Sequence, residues 1–130
     1  MLTKFQTLIA GSILGGLGVA LGAFGAHALK SVLTANQSIE TYELAVRYQF
    51  YHAFALLIIG SLAYKIESKM LMSASVCMIV GVVLFSGSLY GLAFKLSKLI
   101  AFITPIGGLF LIAGWVLLLI SLLNEQTKKA

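Results

Sequence analysis

Three stretches of this chain run for 25 residues apiece without a formal charge, His27 taken as neutral: Phe5 to Leu29, Met70 to Phe94 and Leu99 to Leu123. A bilayer core of roughly 30 Å needs about 20 helical residues at about 1.5 Å each, so each stretch is long enough to cross one. A fourth, Tyr48 to Tyr64, is apolar but is preceded by Glu43 and Arg47. Those two stand one helical turn apart, which predicts an ion pair at the membrane interface rather than in its core. The expected fold is all-α, a four-helix transmembrane bundle, with spans at 5–29, 44–64, 70–94 and 105–123.

Composition agrees. Apolar residues make up 60% of the 130 and charged residues 10%, with a mean hydropathy of +1.03, where a soluble domain carries about 25% charged residues. A chain this short has room for one domain. The net charge of +5 does not point to nucleic acid, because the lysines and Arg47 are scattered singly at the ends of apolar runs, as snorkelling anchors are. Membrane lipids are the expected surroundings. Cys77 is the lone cysteine, so no intrachain disulfide forms. Lys4, an apolar stretch and Ala26-His27-Ala28 imitate a signal peptide, but the apolar run is too long for its hydrophobic region.

Local signals set the boundaries. Thr34 and Gln37 have capping-box spacing, so a helix is expected to start near Ala35 and run into the second span. On it Glu40, Glu43, Arg47 and Tyr51 share a polar stripe. Thr104 followed by Pro105 reads as an N-cap with proline at the first helical position, and Lys95 to Ile103 as an interfacial connection. Four spans put both termini on one side with Lys4, Lys65, Lys69, Lys128 and Lys129. Lys30, Lys95 and Lys98 lie opposite, with Arg47 offset by Glu43 and Glu40. The positive-inside rule then favours cytoplasmic termini by a small margin.

The first span carries Gly11, Gly15, Gly18, Gly22 and Gly25 within an arc of about 80°. Glycine in a helix interior costs about 1 kcal/mol against alanine in water, so five on one face call for a use. Close approach of a neighbouring helix is the expected one, ahead of a groove for a lipid tail or small ligand. Gly87 and Gly91 repeat the spacing more weakly.

Polar side chains gather in one leaflet. With four spans, His27, Glu43, Arg47, Tyr48, His52, Ser86, Ser88, Tyr90 and Thr104 all fall towards the side opposite the termini. They are expected chiefly to tie the helices together; the rival reading is a shallow site open to that face. His52 is expected to bond within the bundle. No metal is expected, since two histidines without an acid or cysteine at their depth do not close a site. Nor is a cofactor or a catalytic residue: Ser86 and Ser88 lack a nucleophile-elbow turn, and no phosphate-binding glycine loop is present.

The motifs GAFGAHAL (Gly22 to Leu29), VRYQFYHA (Val46 to Ala53), FSGSLY (Phe85 to Tyr90), and TPIGG followed by AGW (Thr104 to Trp115) occur in order. Together they resemble the YgdD/YwdK-type small membrane proteins, a bacterial family catalogued as a domain of unknown function. The resemblance spans essentially the whole chain and implies a four-helix, multi-pass protein of the bacterial inner membrane without an established activity. The long basic connection Lys95 to Ile103 departs from that pattern. The functional expectation is a non-enzymatic interaction or accessory subunit, acting on a protein partner in a larger membrane complex or as a homo-oligomer. The alternative is a small transporter or channel using Glu43, Arg47 and His52. Against it, the central depth of the spans holds no ionisable group.

Overall fold

A computed structural model describes residues 2–129, and side chains as far as Thr127. Lys128 and Lys129, counted above for topology, lie outside the described side chains. The described chain is helical: α1 (Lys4–Ala26), a short α2 (Lys30–Ala35), α3 (Ile39–Leu62), α4 (Lys69–Ala93), a 3-10 turn (Lys98–Phe102) and α5 (Ile103–Lys129). α1, α4 and the run Lys98–Thr127 are long and apolar enough to cross a membrane. α3 is as long, at 24 residues, but Glu40, Glu43, Arg47, Gln49 and His52 in its first half lower its hydropathy.

The four long helices pack in chain order, α1 on α3, α3 on α4 and α4 on α5, with little contact between α1 and α4. The bundle is therefore open, with α3 and α4 inside and α1 and α5 at its edges. α1 buries only Thr7, Gly11 and Gly18, while α4 buries eleven residues. Towards the termini the core is apolar: Leu56, Ile59, Leu71, Ala74 and Met78 of α3 and α4 close on Leu118 of α5. At the other end a smaller cluster of Leu33, Tyr42 and Ala93 holds α2 against α3 and α4.

Two helix ends explain how that second end is built. α2 and α4 each stop with a residue in the left-handed region, Gln37 (φ 54°) and Lys95 (φ 55°). In each the next N–H reaches back five residues, Ser38 to the Leu33 carbonyl and Leu96 to that of Gly91, which is the Schellman termination without its usual glycine. This overturns the expected helix start near Ala35: the chain there ends a helix, and the Thr34 hydroxyl donates to the Lys30 carbonyl instead of capping. The capping box belongs to Thr3 and Gln6 at the start of α1. The two terminations are tied together, since Asn36 Nδ2 (3.1 Å) and Ser38 Oγ (2.8 Å) both donate to the Ala93 carbonyl. That carbonyl is one of those a helix end leaves without a partner.

α5 also starts earlier than expected, at Ile103. Its lead-in is the 3-10 turn, capped by the Ser97 hydroxyl on the Leu99 N–H at 3.2 Å. Thr104 is then inside the helix, and its hydroxyl is free to face α4.

Candidate functional site

The glycine face of α1 is turned onto α3. A methyl group at Gly11 would lie 2.9 Å from the Ala53 carbonyl oxygen, and one at Gly25 would overlap the Tyr42 ring. At Gly18 it would press on Phe50 at 3.0 Å, whereas Gly22 clears Val46 at 3.5 Å and Gly15 clears Ala53 at 3.9 Å. Close approach recurs where the sequence reading did not place it. A methyl at Gly107 on α5 would run into the backbone of Phe85, and one at Gly81 would meet Leu111. Gly87, by contrast, faces open space, while Gly91 meets Ile100 at 3.1 Å. Spacing alone does not tell a glycine under a neighbouring helix from one facing outward.

Removing side chains lets polar groups reach backbone. Gln49 is buried at 4% exposure, and its Nε2 donates to the Leu14 carbonyl of α1 at 2.8 Å. Its Oε1 accepts from the Tyr90 hydroxyl of α4 at 2.9 Å. A single amide, carrying both donor and acceptor, thus bridges three helices. One turn and more outward, the Tyr42 hydroxyl donates to the Leu21 carbonyl at 2.7 Å, and the Tyr42 ring stands edge-on to Tyr90 at 5.1 Å. Ser86 Oγ donates to the Ala45 carbonyl at 2.8 Å.

A second group links α3 and α4 to α5. The Trp115 indole N–H reaches His52 Nε2 at 3.2 Å, and His52 Nδ1 lies 2.8 Å from the Tyr48 carbonyl. Indole is a donor only and a carbonyl an acceptor only, so the imidazole is neutral, with its proton on Nδ1. Tyr48 packs on Phe85 with ring centres 4.5 Å apart. Ser88 donates to the Phe85 carbonyl at 2.9 Å and so accepts from the Thr104 hydroxyl at 2.7 Å.

Of the expected cluster, Tyr48, His52, Ser86, Ser88, Tyr90 and Thr104 therefore make contacts between helices, divided between these two groups. His27, Glu43 and Arg47 do not, being exposed. Glu43 and Arg47 form no ion pair with each other; both line a half-open cleft of about 270 Å³ against Gly22, Gly25, Leu33 and Val46. Gln49, Tyr42 and Trp115 were not singled out from sequence, although Gln49 and Trp115 stand in the VRYQFYHA and AGW motifs. Among the described residues every buried side-chain nitrogen and oxygen has a hydrogen-bond partner. No three His, Cys, Asp or Glu among them converge on a metal position.

Long apolar helices packed through glycines, with buried polar groups bonded to one another and to backbone, define a small multi-pass integral membrane protein. The chain belongs to the family described as protein of unknown function (DUF423), whose model matches residues 21–108. That stretch holds the whole polar network except Leu14 and Trp115. The chain is 43% identical to a UPF0382 membrane protein of Staphylococcus haemolyticus, over 88% of this chain and 92% of that one. It is 40% identical to a UPF0382 membrane protein of Haemophilus influenzae, over 89% and 90%. With the UPF0382 inner membrane protein YgdD of Escherichia coli it shares 38% identity over 98% and 96%. No solved structure matches the chain.

Proposed function

We propose that this protein is a non-enzymatic subunit or assembly aid of the bacterial inner membrane, working through a protein partner that packs on its helices. α3 crosses the bilayer with the other three, since it lies between α1 and α4, both of spanning length, and shares their depth. Both termini are cytoplasmic. The observation that carries the reading is the satisfied interior: among the described residues every buried side-chain nitrogen and oxygen has a partner, and Gln49, His52, Ser86 and Ser88 bond across helices. A solute path or a catalytic centre needs donors, acceptors or charges left over for a substrate. What the chain offers its surroundings is apolar helix surface, with Ile13, Leu17 and Val19 on α1 and Leu109, Ile112 and Leu119 on α5 exposed.

Extraction in mild detergent followed by purification of the full chain tests this. A stoichiometric membrane-protein partner is the expected result. Purified protein that moves a solute across liposomes without any partner would replace the reading with a transporter.

A further inference from the structure

The cleft between α1, α2 and α3 brings two exposed opposite charges, Glu43 and Arg47, to an apolar hollow. Its floor is Gly22, Gly25 and Ala26 of α1, with Leu33, Ile39, Tyr42 and Val46; its rim carries Glu43 and Arg47. The floor is fixed, because Tyr42 is held from behind by the Leu21 carbonyl and Leu33 is buried. At about 270 Å³ and open on one side, it is smaller than a pocket that encloses a drug-sized ligand. It suits an occupant that remains partly in the bilayer.

The order of charges along α3 selects the occupant. α3 enters the membrane from Ile39, so Glu43 is the outer charge and Arg47 lies about 6 Å deeper, at about 1.5 Å per residue. Val46 and Gly22 flank them as apolar wall. From water inward the cleft thus reads negative, positive, apolar. A glycerophospholipid with a primary-amine zwitterionic headgroup reads ammonium, phosphate, acyl chain, with its two charges joined by two carbons. Glu43 and Arg47, one helical turn apart and not paired with each other, match that order and spacing.

We propose that this cleft binds phosphatidylethanolamine, with Arg47 on the phosphate, Glu43 on the ammonium, and an acyl chain against Gly22 and Val46. Guanidinium suits phosphate because it donates two parallel hydrogen bonds. The carboxylate discriminates among headgroups: it accepts N–H bonds from a primary ammonium, which trimethylammonium cannot offer, and it repels an anionic headgroup. The cleft needs only a bilayer around it, not the protein partner proposed above, so a missing lipid and a missing partner are separate results.

The full-length chain in detergent, mixed with equal amounts of phosphatidylethanolamine, phosphatidylcholine and phosphatidylglycerol, is read by native mass spectrometry. Phosphatidylethanolamine should be retained over each of the others by about tenfold, the ratio that corresponds to about 1.4 kcal/mol at 25 °C. Glu43→Gln should abolish the preference over phosphatidylcholine, and Arg47→Gln should weaken retention of all three. Both residues are exposed, so either change should leave the fold intact, and Gly22→Val should reduce binding by filling the cleft. Equal retention of the three lipids, a preference for phosphatidylglycerol, or indifference to Glu43→Gln and Arg47→Gln would each overturn the assignment.

Discussion

The Trp115 indole N–H donates to His52 Nε2 across 63 positions of sequence and 3.2 Å of space, fastening the edge helix α5 to α3. The Trp115 residue is itself 48% exposed, so the ring contributes little to the packed interior and its role there is directional. Trp115→Phe keeps most of the apolar ring but leaves His52 Nε2 without its donor. We expect a loss of about 1–2 kcal/mol, the lower part of the range of about 1–3 kcal/mol for a buried acceptor left unsatisfied. Thermal unfolding in a single detergent measures it; an unchanged midpoint would mean the bond contributes nothing.

The glycines on α1 should separate into two kinds. Gly11→Ala forces a methyl against a backbone oxygen that cannot turn aside, and overpacking of this kind costs about 1–3 kcal/mol. Gly16, with nothing within 4 Å, and Gly15, with 3.9 Å of clearance, should accept alanine and gain from its helix propensity, up to about 1 kcal/mol. Folded yield and melting temperature of the three variants check this. A uniform response along the helix would mean that α3 does not dictate the glycines.

Glu43 and Arg47 should act independently on stability. With no ion pair between them and both side chains exposed, a double-mutant cycle of Glu43→Gln and Arg47→Gln in lipid-free detergent should give coupling below about 0.5 kcal/mol, no more than an exposed helical pair supplies. Coupling well above that would mean the two charges are joined and the cleft rim is closed.

Orientation is tested by reporters active only outside the cytoplasm. One fused after Ala130 should be silent and one inserted after Ser97 active. The opposite result would show that Lys4, Lys65, Lys69, Lys128 and Lys129 do not outweigh Lys30, Lys95 and Lys98, and would turn the lipid cleft to the other leaflet.

The long helices were legible because an uncharged run of 25 residues has few alternatives in water or lipid. The glycine face of α1 was legible because its angular arc is a property of the helix alone. The terminations at Gln37 and Lys95 were not, since the left-handed position is normally marked by glycine and neither residue carries that mark. Gln49 carries no charge or motif spacing that marks it in the sequence, although an amide is the better bridge, donating and accepting at once. Nothing in the spacing joins position 52 to 115 or 88 to 104; those pairs follow from the packing of α5 on α4. Glu43 and Arg47 have pairing distance along the helix, and the structure instead leaves both exposed and unjoined along the rim of a cleft.

The buried polar groups act as structural ties between helices, and the Gln49–Tyr90 bond is the sharpest case. Tyr90→Phe and Gln49→Leu, singly and together, measured by thermal unfolding in one detergent, isolate their bond from the packing around it. Interhelical hydrogen bonds in a membrane protein average about 0.6 kcal/mol and reach about 1.7. We predict coupling in the upper part of that range, because Gln49 also holds the Leu14 carbonyl and losing Tyr90 loosens both contacts. Coupling indistinguishable from zero, with both single variants as stable as the parent chain, would contradict this and make Gln49, with Tyr90, a candidate for a binding site.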